Sequence, residues 1–230
     1  MEETVKTEVV NNATQNKGNK NFNKDRKPRK EFKKNFEPKK KLLEENNGIV
    51  KAEKLYPLGL TYKSIQGLVK AGILDHVKSG YYSMGYEEKP QEEIILGLFP
   101  DGILCMDSAL YYYGYIEKRP YEWSIAISKN TSKSRFRMEY PVVKPYYTEP
   151  EVMELGVTAI PFAGGEMKIY EKERLICDCL KYEERLERED LKKALLAFIN
   201  EPKKDIAKLM EYARARKVVA KVQSRIGVWL

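Results

Sequence analysis

The stretch Thr61-Tyr-Lys-Ser-Ile-Gln-Gly-Leu-Val-Lys-Ala-Gly72, with Ile73-Leu-Asp-His-Val-Lys-Ser-Gly-Tyr-Tyr-Ser-Met84 directly after it, decides the first half of the fold. Thr61 is placed to cap a helix over Tyr62 to Ala71, and Gly72 supplies the residue type that ends one. Within that helix Ile65, Leu68 and Val69 recur at i, i+3 and i+4 and share a face. At about 100° per residue, Lys63, Gln66, Gly67 and Lys70 fall on the opposite side. One face packs, and the other is left to touch something. Beyond the helix, Ile73-Leu74 and Tyr81 to Met84 read as two short strands around a turn over Asp75 to Gly80.

Working upstream, Leu42 to Gly48 reads as the end of a helix stopped by Asn47 and Gly48. Lys51 to Tyr56 reads as a short helix closed by Pro57-Leu58-Gly59. Helix, helix, turn, helix and hairpin, over residues 41–86, is the order of a winged helix-turn-helix. The second helix of such a unit offers its outer face to the major groove, where Lys and Gln match base-edge acceptors and donors. The candidate DNA contacts are therefore Thr61, Tyr62, Lys63, Ser64, Gln66, Gly67 and Lys70 on the helix, with His76 and Lys78 in the hairpin. Residues 51–84 carry five Lys against two acids, a net charge of +3 suited to phosphates. The same residues also suit a helical hairpin for protein contact, with Lys63 and Lys70 merely solvated and His76 a bystander.

Downstream, residues 87–230 read as a mixed α/β domain ending in a helical bundle, so the whole chain is α+β. Gln91 to Leu98 and Met106 to Tyr113 are predicted helices, the second stopped by Gly114. Short β-rich runs follow: Ser124 to Ser128, Val142 to Tyr147, Val157 to Phe162 and Glu166 to Tyr170, with Gly164-Gly165 as a tight-hairpin signal. The aromatic run Tyr111-Tyr112-Tyr113-Gly114-Tyr115, with Trp123, suits helix packing better than base stacking. Lys129 to Arg137 is a polar, basic loop, open to a nucleic acid, an acidic partner or plain solvation. The last sixty residues carry helical periodicity in four segments: Glu171 to Tyr182, Asp190 to Ile199 with Asp190 as N-cap, Lys203 to Ala213, and Val218 to Trp229.

The net charge of +8 over 230 residues is uneven. Residues 1–41 hold 13 Lys/Arg against 6 Asp/Glu, whereas the remaining 189 hold 29 against 28. That Lys- and Asn-rich tail, taken as residues 1–40, has too few large apolar residues to offset the entropy of ordering it and is expected to be disordered. Its charge suits salt-sensitive, sequence-independent attraction to a polyanion, or simple solubility. No run of about 18 apolar residues is present, so no membrane span is expected. Cys105, Cys177 and Cys179 make no disulfide framework, and a reducing cytoplasm is the default setting. His76 and Cys105 lie far in sequence from the Cys177–Cys179 pair, which argues against a zinc site. No metal or cofactor is expected.

The small N-terminal unit, the segment Met106-Asp-Ser-Ala-Leu-Tyr-Tyr-Tyr-Gly-Tyr115, and above all Tyr170-Glu-Lys-Glu-Arg-Leu-Ile-Cys-Asp-Cys-Leu180 followed by Leu209-Met-Glu-Tyr-Ala-Arg214 resemble the AbiEi-type antitoxins of type IV toxin-antitoxin (abortive infection) systems. The resemblance covers residues 42–230. It implies a transcription regulator that represses its own operon by binding operator DNA. It also implies a C-terminal domain that counteracts a nucleotidyltransferase-like toxin, not necessarily by direct binding, in phage defence or mobile-element maintenance. Glu173, Arg174 and Asp178 match the family motif. Arg174 and Asp178 stand at i and i+4, which allows an intrahelical ion pair, so a structural role is expected. The basic tail departs from the family pattern.

An enzyme is the rival reading. Glu166-Met-Lys168 has the carboxylate-x-lysine form of a metal-dependent nuclease, with Glu151 or Glu154 as a second acid. A tripeptide this short recurs by chance in a charged chain. No Gly-rich phosphate loop, GxSxG or HExxH motif accompanies it. The expectation is a non-enzymatic regulator, with a nuclease carrying a DNA-binding winged helix, or a stand-alone transcription regulator, as alternatives.

Overall fold

The computed structural model describes residues 37–45, 48–85 and 89–229. The tail expected over residues 1–40 lies almost wholly outside the described residues.

The chain is mixed α+β with two sheets. The first unit runs α1 (Glu37–Glu45), β1 (Ile49–Lys51), α2 (Ala52–Leu55), a 3-10 turn (Tyr56–Leu58), α3 (Tyr62–Lys70), β2 (Asp75–Lys78) and β3 (Tyr81–Ser83). Its three strands form an antiparallel sheet in the order β1-β3-β2. Its core is Leu43, Val50, Ala52, Leu55, Leu60, Ile65, Leu68, Leu74 and Tyr82.

Three readings of this unit need correction. Ile49-Val50 forms a strand, β1, which short-range sequence did not announce. The second strand is Asp75–Lys78, where a turn was expected, and the turn itself is only Ser79-Gly80, with Gly80 at φ +76. Ile73 and Leu74 instead form the connection into it, Leu74 being buried in the core. Polar Asp75-His76 hid the strand because an edge strand needs only one packed face.

The larger unit contains α4 (Gln91–Leu98), β4 (Ile103–Leu104), α5 (Met106–Tyr112), β5 (Trp123–Ser128), β6 (Val143–Thr148), α6 (Pro150–Met153), β7 (Val157–Phe162) and β8 (Gly165–Tyr170). Four helices follow: α7 (Lys172–Lys181), α8 (Arg188–Ile199), α9 (Ile206–Arg216) and α10 (Val219–Ile226). Five strands make a mixed sheet in the order β6-β5-β4-β8-β7. The central strand, β4, is the one the sequence pattern missed. It pairs antiparallel with β5 and parallel with β8 over only Ile103 and Leu104, both fully buried. The β7–β8 hairpin turns at Ala163-Gly164, one residue before the expected site, with φ +48 and +78, and pairs Phe162 with Gly165. Helix α8 begins at Arg188 with Glu187 at its cap, so Asp190 lies in its first turn and is not the cap; α9 starts at Ile206, capped by Asp205.

The aromatic run is packing material. Tyr112, Trp123 and Phe162 form one cluster, and the Trp123 Nε1 donates to Gln91 at 2.7 Å. The two units touch. Ile49 of β1 belongs to the larger core, and a Cβ on Gly97 of α4 would stand 3.2 Å from the Ile49 Cβ, so the glycine lets α4 and β1 approach closely. Among the described residues no helix is long and apolar enough to cross a membrane.

Candidate nucleic-acid interface

Helix α3 begins as its sequence dictates. The Thr61 side chain accepts from the Ser64 amide at 3.2 Å, and the Ser64 hydroxyl accepts from the Thr61 amide at 2.7 Å. This reciprocal box satisfies two of the donors that a helix start leaves open. The Ser64 hydroxyl also donates to the Thr61 carbonyl at 2.8 Å. Thr61 and Ser64, both named as candidate contacts, thus have their side chains engaged in building the helix end.

Ile65 and Leu68 are buried while Tyr62, Lys63, Gly67 and Lys70 are exposed, which is the division the periodicity gave. Tyr62 stands 65% exposed beside the two lysines. Gln66 is half-buried, and its Nε2 donates to the Tyr82 hydroxyl at 3.2 Å, tying α3 to β3. Burial raises the Tyr82 pKa above its ordinary value, against the opposing hydrogen bond from Gln66, so the phenol stays neutral. His76 is exposed on β2, its ring centroid 5.5 Å from that of Tyr82.

Lys78 does not join this surface. It is only 7% exposed, and its Nζ donates to the Arg135 carbonyl at 2.7 Å while lying 4.7 Å from the Tyr81 ring centroid and 4.9 Å from that of Phe99. The cause is a bulge. Pairing slips between His76 and Lys78, so one extra residue reverses the alternation, and Lys78 turns inward while His76 faces out. Burial, with Arg135 and Lys51 close by, lowers the Lys78 pKa to about 8. The expected exposed contact at Lys78 on the hairpin is thus not there: its side chain lies inward, at the junction with the larger unit.

Glu173, Arg174 and Asp178 come together on α7, and all three are buried. Arg174 Nε lies 3.0 Å from Asp178 Oδ2, the i, i+4 pair that the spacing allowed. Arg174 Nη1 also donates to the carbonyls of Val152 and Leu155 at 2.8 and 2.7 Å. Across from it, Arg216 of α9 holds the other Asp178 oxygen through its Nε at 2.5 Å. Burial opposes the Arg216 charge, and the Asp178 carboxylate outweighs it, leaving the Arg216 pKa above its usual value. Glu173 Oε1 accepts from the Asp205 amide at 2.9 Å, fastening the start of α9. The motif clamps α7 to α9 and to the turn before β7. Arg216 is the member that sequence reasoning missed.

Glu166 and Lys168 lie on β8. The Lys168 ammonium is held by Glu154, at 3.2 and 3.1 Å from its two oxygens, which is how the proposed second acid is employed. Among the described residues no group of three or more His, Cys, Asp or Glu lies close enough together to hold a metal ion. Cys105, Cys177 and Cys179 are free and buried. Burial pushes the Cys177 thiol up to about 12 and the other two well above their ordinary value.

Compared with known proteins, the chain matches no family model and no curated protein.

Proposed function

We propose that this protein is a DNA-binding transcription regulator whose first unit acts as a winged helix-turn-helix, with α3 as the helix that enters the major groove of duplex DNA. One observation carries the reading. A well-capped helix buries Ile65 and Leu68 against its own small core and leaves Lys63, Gly67 and Lys70 facing out beside a two-stranded hairpin. Lys63 and Lys70 make no ion pair among the described residues, so both ammonium groups are available to base edges and phosphates. The second part of the proposal is that residues 87–230 counteract a nucleotidyltransferase-like toxin and that the DNA bound is the operator of the protein's own operon. The resemblance of the Glu173-Arg174 and Asp178 segment to AbiEi-type antitoxins supports this part. Those residues hold the domain together, and no catalytic role is assigned to them. Free buried thiols and a DNA partner suit a cytoplasmic setting.

The test is a promoter reporter run alongside growth after induction of a toxin encoded next to this gene, in cells carrying full-length protein. Lys63→Ala with Lys70→Ala abolishes repression and leaves rescue intact. Unchanged repression by that variant refutes the role of α3, and loss of both activities with a folded protein refutes the division of labour.

A further inference from the structure

The three-stranded sheet and the larger unit enclose between them a cleft of about 1320 Å³. Lys51, Lys54 and Lys78 line it from the first unit, and Arg135 of the 3-10 turn Lys133–Phe136 and Arg137 just after that turn line it from the second. Glu45, Glu53 and Asp101 also line it, three carboxylates against five cations, and Asp101 is occupied by a two-pronged bond to the Arg135 guanidinium. The cleft is thus a basic one with walls from both units.

One of its cations, Lys78, is buried and a second, Arg135, is half-buried, and neither spends all its donors. The Lys78 ammonium has three hydrogens and makes one hydrogen bond among the described residues, to the Arg135 carbonyl, with two aromatic faces around it. Arg135 spends its Nη atoms on Asp101 and on the Leu98 carbonyl, while its buried Nε has no partner among the described residues. An ammonium with donors unspent in a buried setting is costly, and a ligand rich in acceptor oxygens relieves that cost at Lys78, with the Arg135 charge close beside it. Exposed Lys51 and Arg137 stand at opposite walls to complete the charge. Several cations with unspent donors call for a multiply charged oxyanion, for which a single carboxylate is a poor match.

We propose that this cleft is a phosphate-binding site, gripped from the first unit by Lys51 and Lys78 and from the second by Arg135 and Arg137. Its ligand is either a free polyphosphate or the backbone of a nucleic acid. The proposal does not depend on the reading of α3, because the residues are different.

The experiment uses the full chain and isothermal titration with two probes, inorganic pyrophosphate and a random-sequence duplex of about 20 base pairs. Lys51→Ala with Arg137→Ala is compared with the charge-matched control Lys118→Ala with Lys203→Ala, whose side chains are exposed and away from the cleft. Pyrophosphate binding that falls tenfold or more in the cleft variant and less than twofold in the control supports a free polyphosphate ligand. No pyrophosphate binding, with a tenfold loss of duplex affinity confined to the cleft variant, supports the nucleic-acid backbone. Equal behaviour of the two variants toward both probes, with circular dichroism showing both folded, overturns the proposal. Lys63→Ala with Lys70→Ala leaves pyrophosphate binding unchanged, which separates this site from α3.

Discussion

Replacing Asp178 by Asn removes one charge from the interior at almost constant volume. Its carboxylate is 5% exposed and stands between Arg174 and Arg216, whose side chains are 0% and 3% exposed. The variant leaves two guanidinium groups facing each other, with the Val152 and Leu155 carbonyls as the remaining acceptors for Arg174. At an effective dielectric of about 20, one ion pair near 4 Å is worth roughly 4 kcal/mol. Losing the shared partner of two pairs, less the relief of desolvating one carboxylate, gives a loss of about 3–5 kcal/mol, the range seen when one member of a buried pair is removed. That is a large part of a typical stability of about 5–15 kcal/mol. Urea unfolding followed by circular dichroism measures it. Two comparisons guard the reasoning: adding Arg216→Met to Asp178→Asn restores about 1–2 kcal/mol, and Glu154→Gln at the exposed Lys168 pair changes stability by less than about 1 kcal/mol. A loss below about 1 kcal/mol in Asp178→Asn refutes the clamp.

Three further outcomes are expected. Thr61→Ala removes half of the reciprocal cap and costs about 1 kcal/mol in the same unfolding assay, with no loss expected if the box contributes nothing. Lys78 has a folded-state pKa near 8 against 10.5 unfolded, so between those values the folded state holds fewer protons and stability from this group rises with pH. The buried thiols act the other way above about pH 9, because the stability from their raised pKa values is fully present below the unfolded value and is lost as pH rises toward the folded one. Between pH 8 and 9 the wild type therefore gains about 1 kcal/mol relative to Lys78→Met, read from urea midpoints at each pH, and parallel curves contradict the burial of a charged Lys78. Deleting residues 1–40 removes a net positive segment, so the slope of log affinity against log salt for duplex DNA flattens while site preference is kept, and coincident slopes show that the tail does not touch DNA.

Much of this was legible in the residues, for reasons that differ by element. Helix α3 carries its own cap and an apolar stripe, so local chemistry and packing agree on its start and its buried face. Val157–Phe162 was read to the residue because β-branched and aromatic side chains run between turn residues. Strand β4 escaped notice because two buried residues have no period to detect. Lys78 was misplaced because a single-residue bulge, set by pairing with β3, reverses which way it points. In the clamp, Arg174 and Asp178 announced each other at four residues' distance, whereas Arg216 is 38 residues further along and joins them only when α9 packs on α7. Of the cleft, the basic Lys129–Arg137 loop is legible in the sequence, but no local pattern links its Arg135 and Arg137 to Lys51 and Lys78 across the cleft.

The central claim, that α3 reads duplex DNA, is tested most directly by selection from a random-sequence duplex pool with the full-length protein at about 150 mM salt, in parallel with Lys63→Ala, Lys70→Ala. The wild type enriches a defined site, and the variant binds that site more weakly by about 1–3 kcal/mol per lost base contact while remaining folded. No enriched site with the wild type, or the same site bound equally well by the variant, contradicts the account.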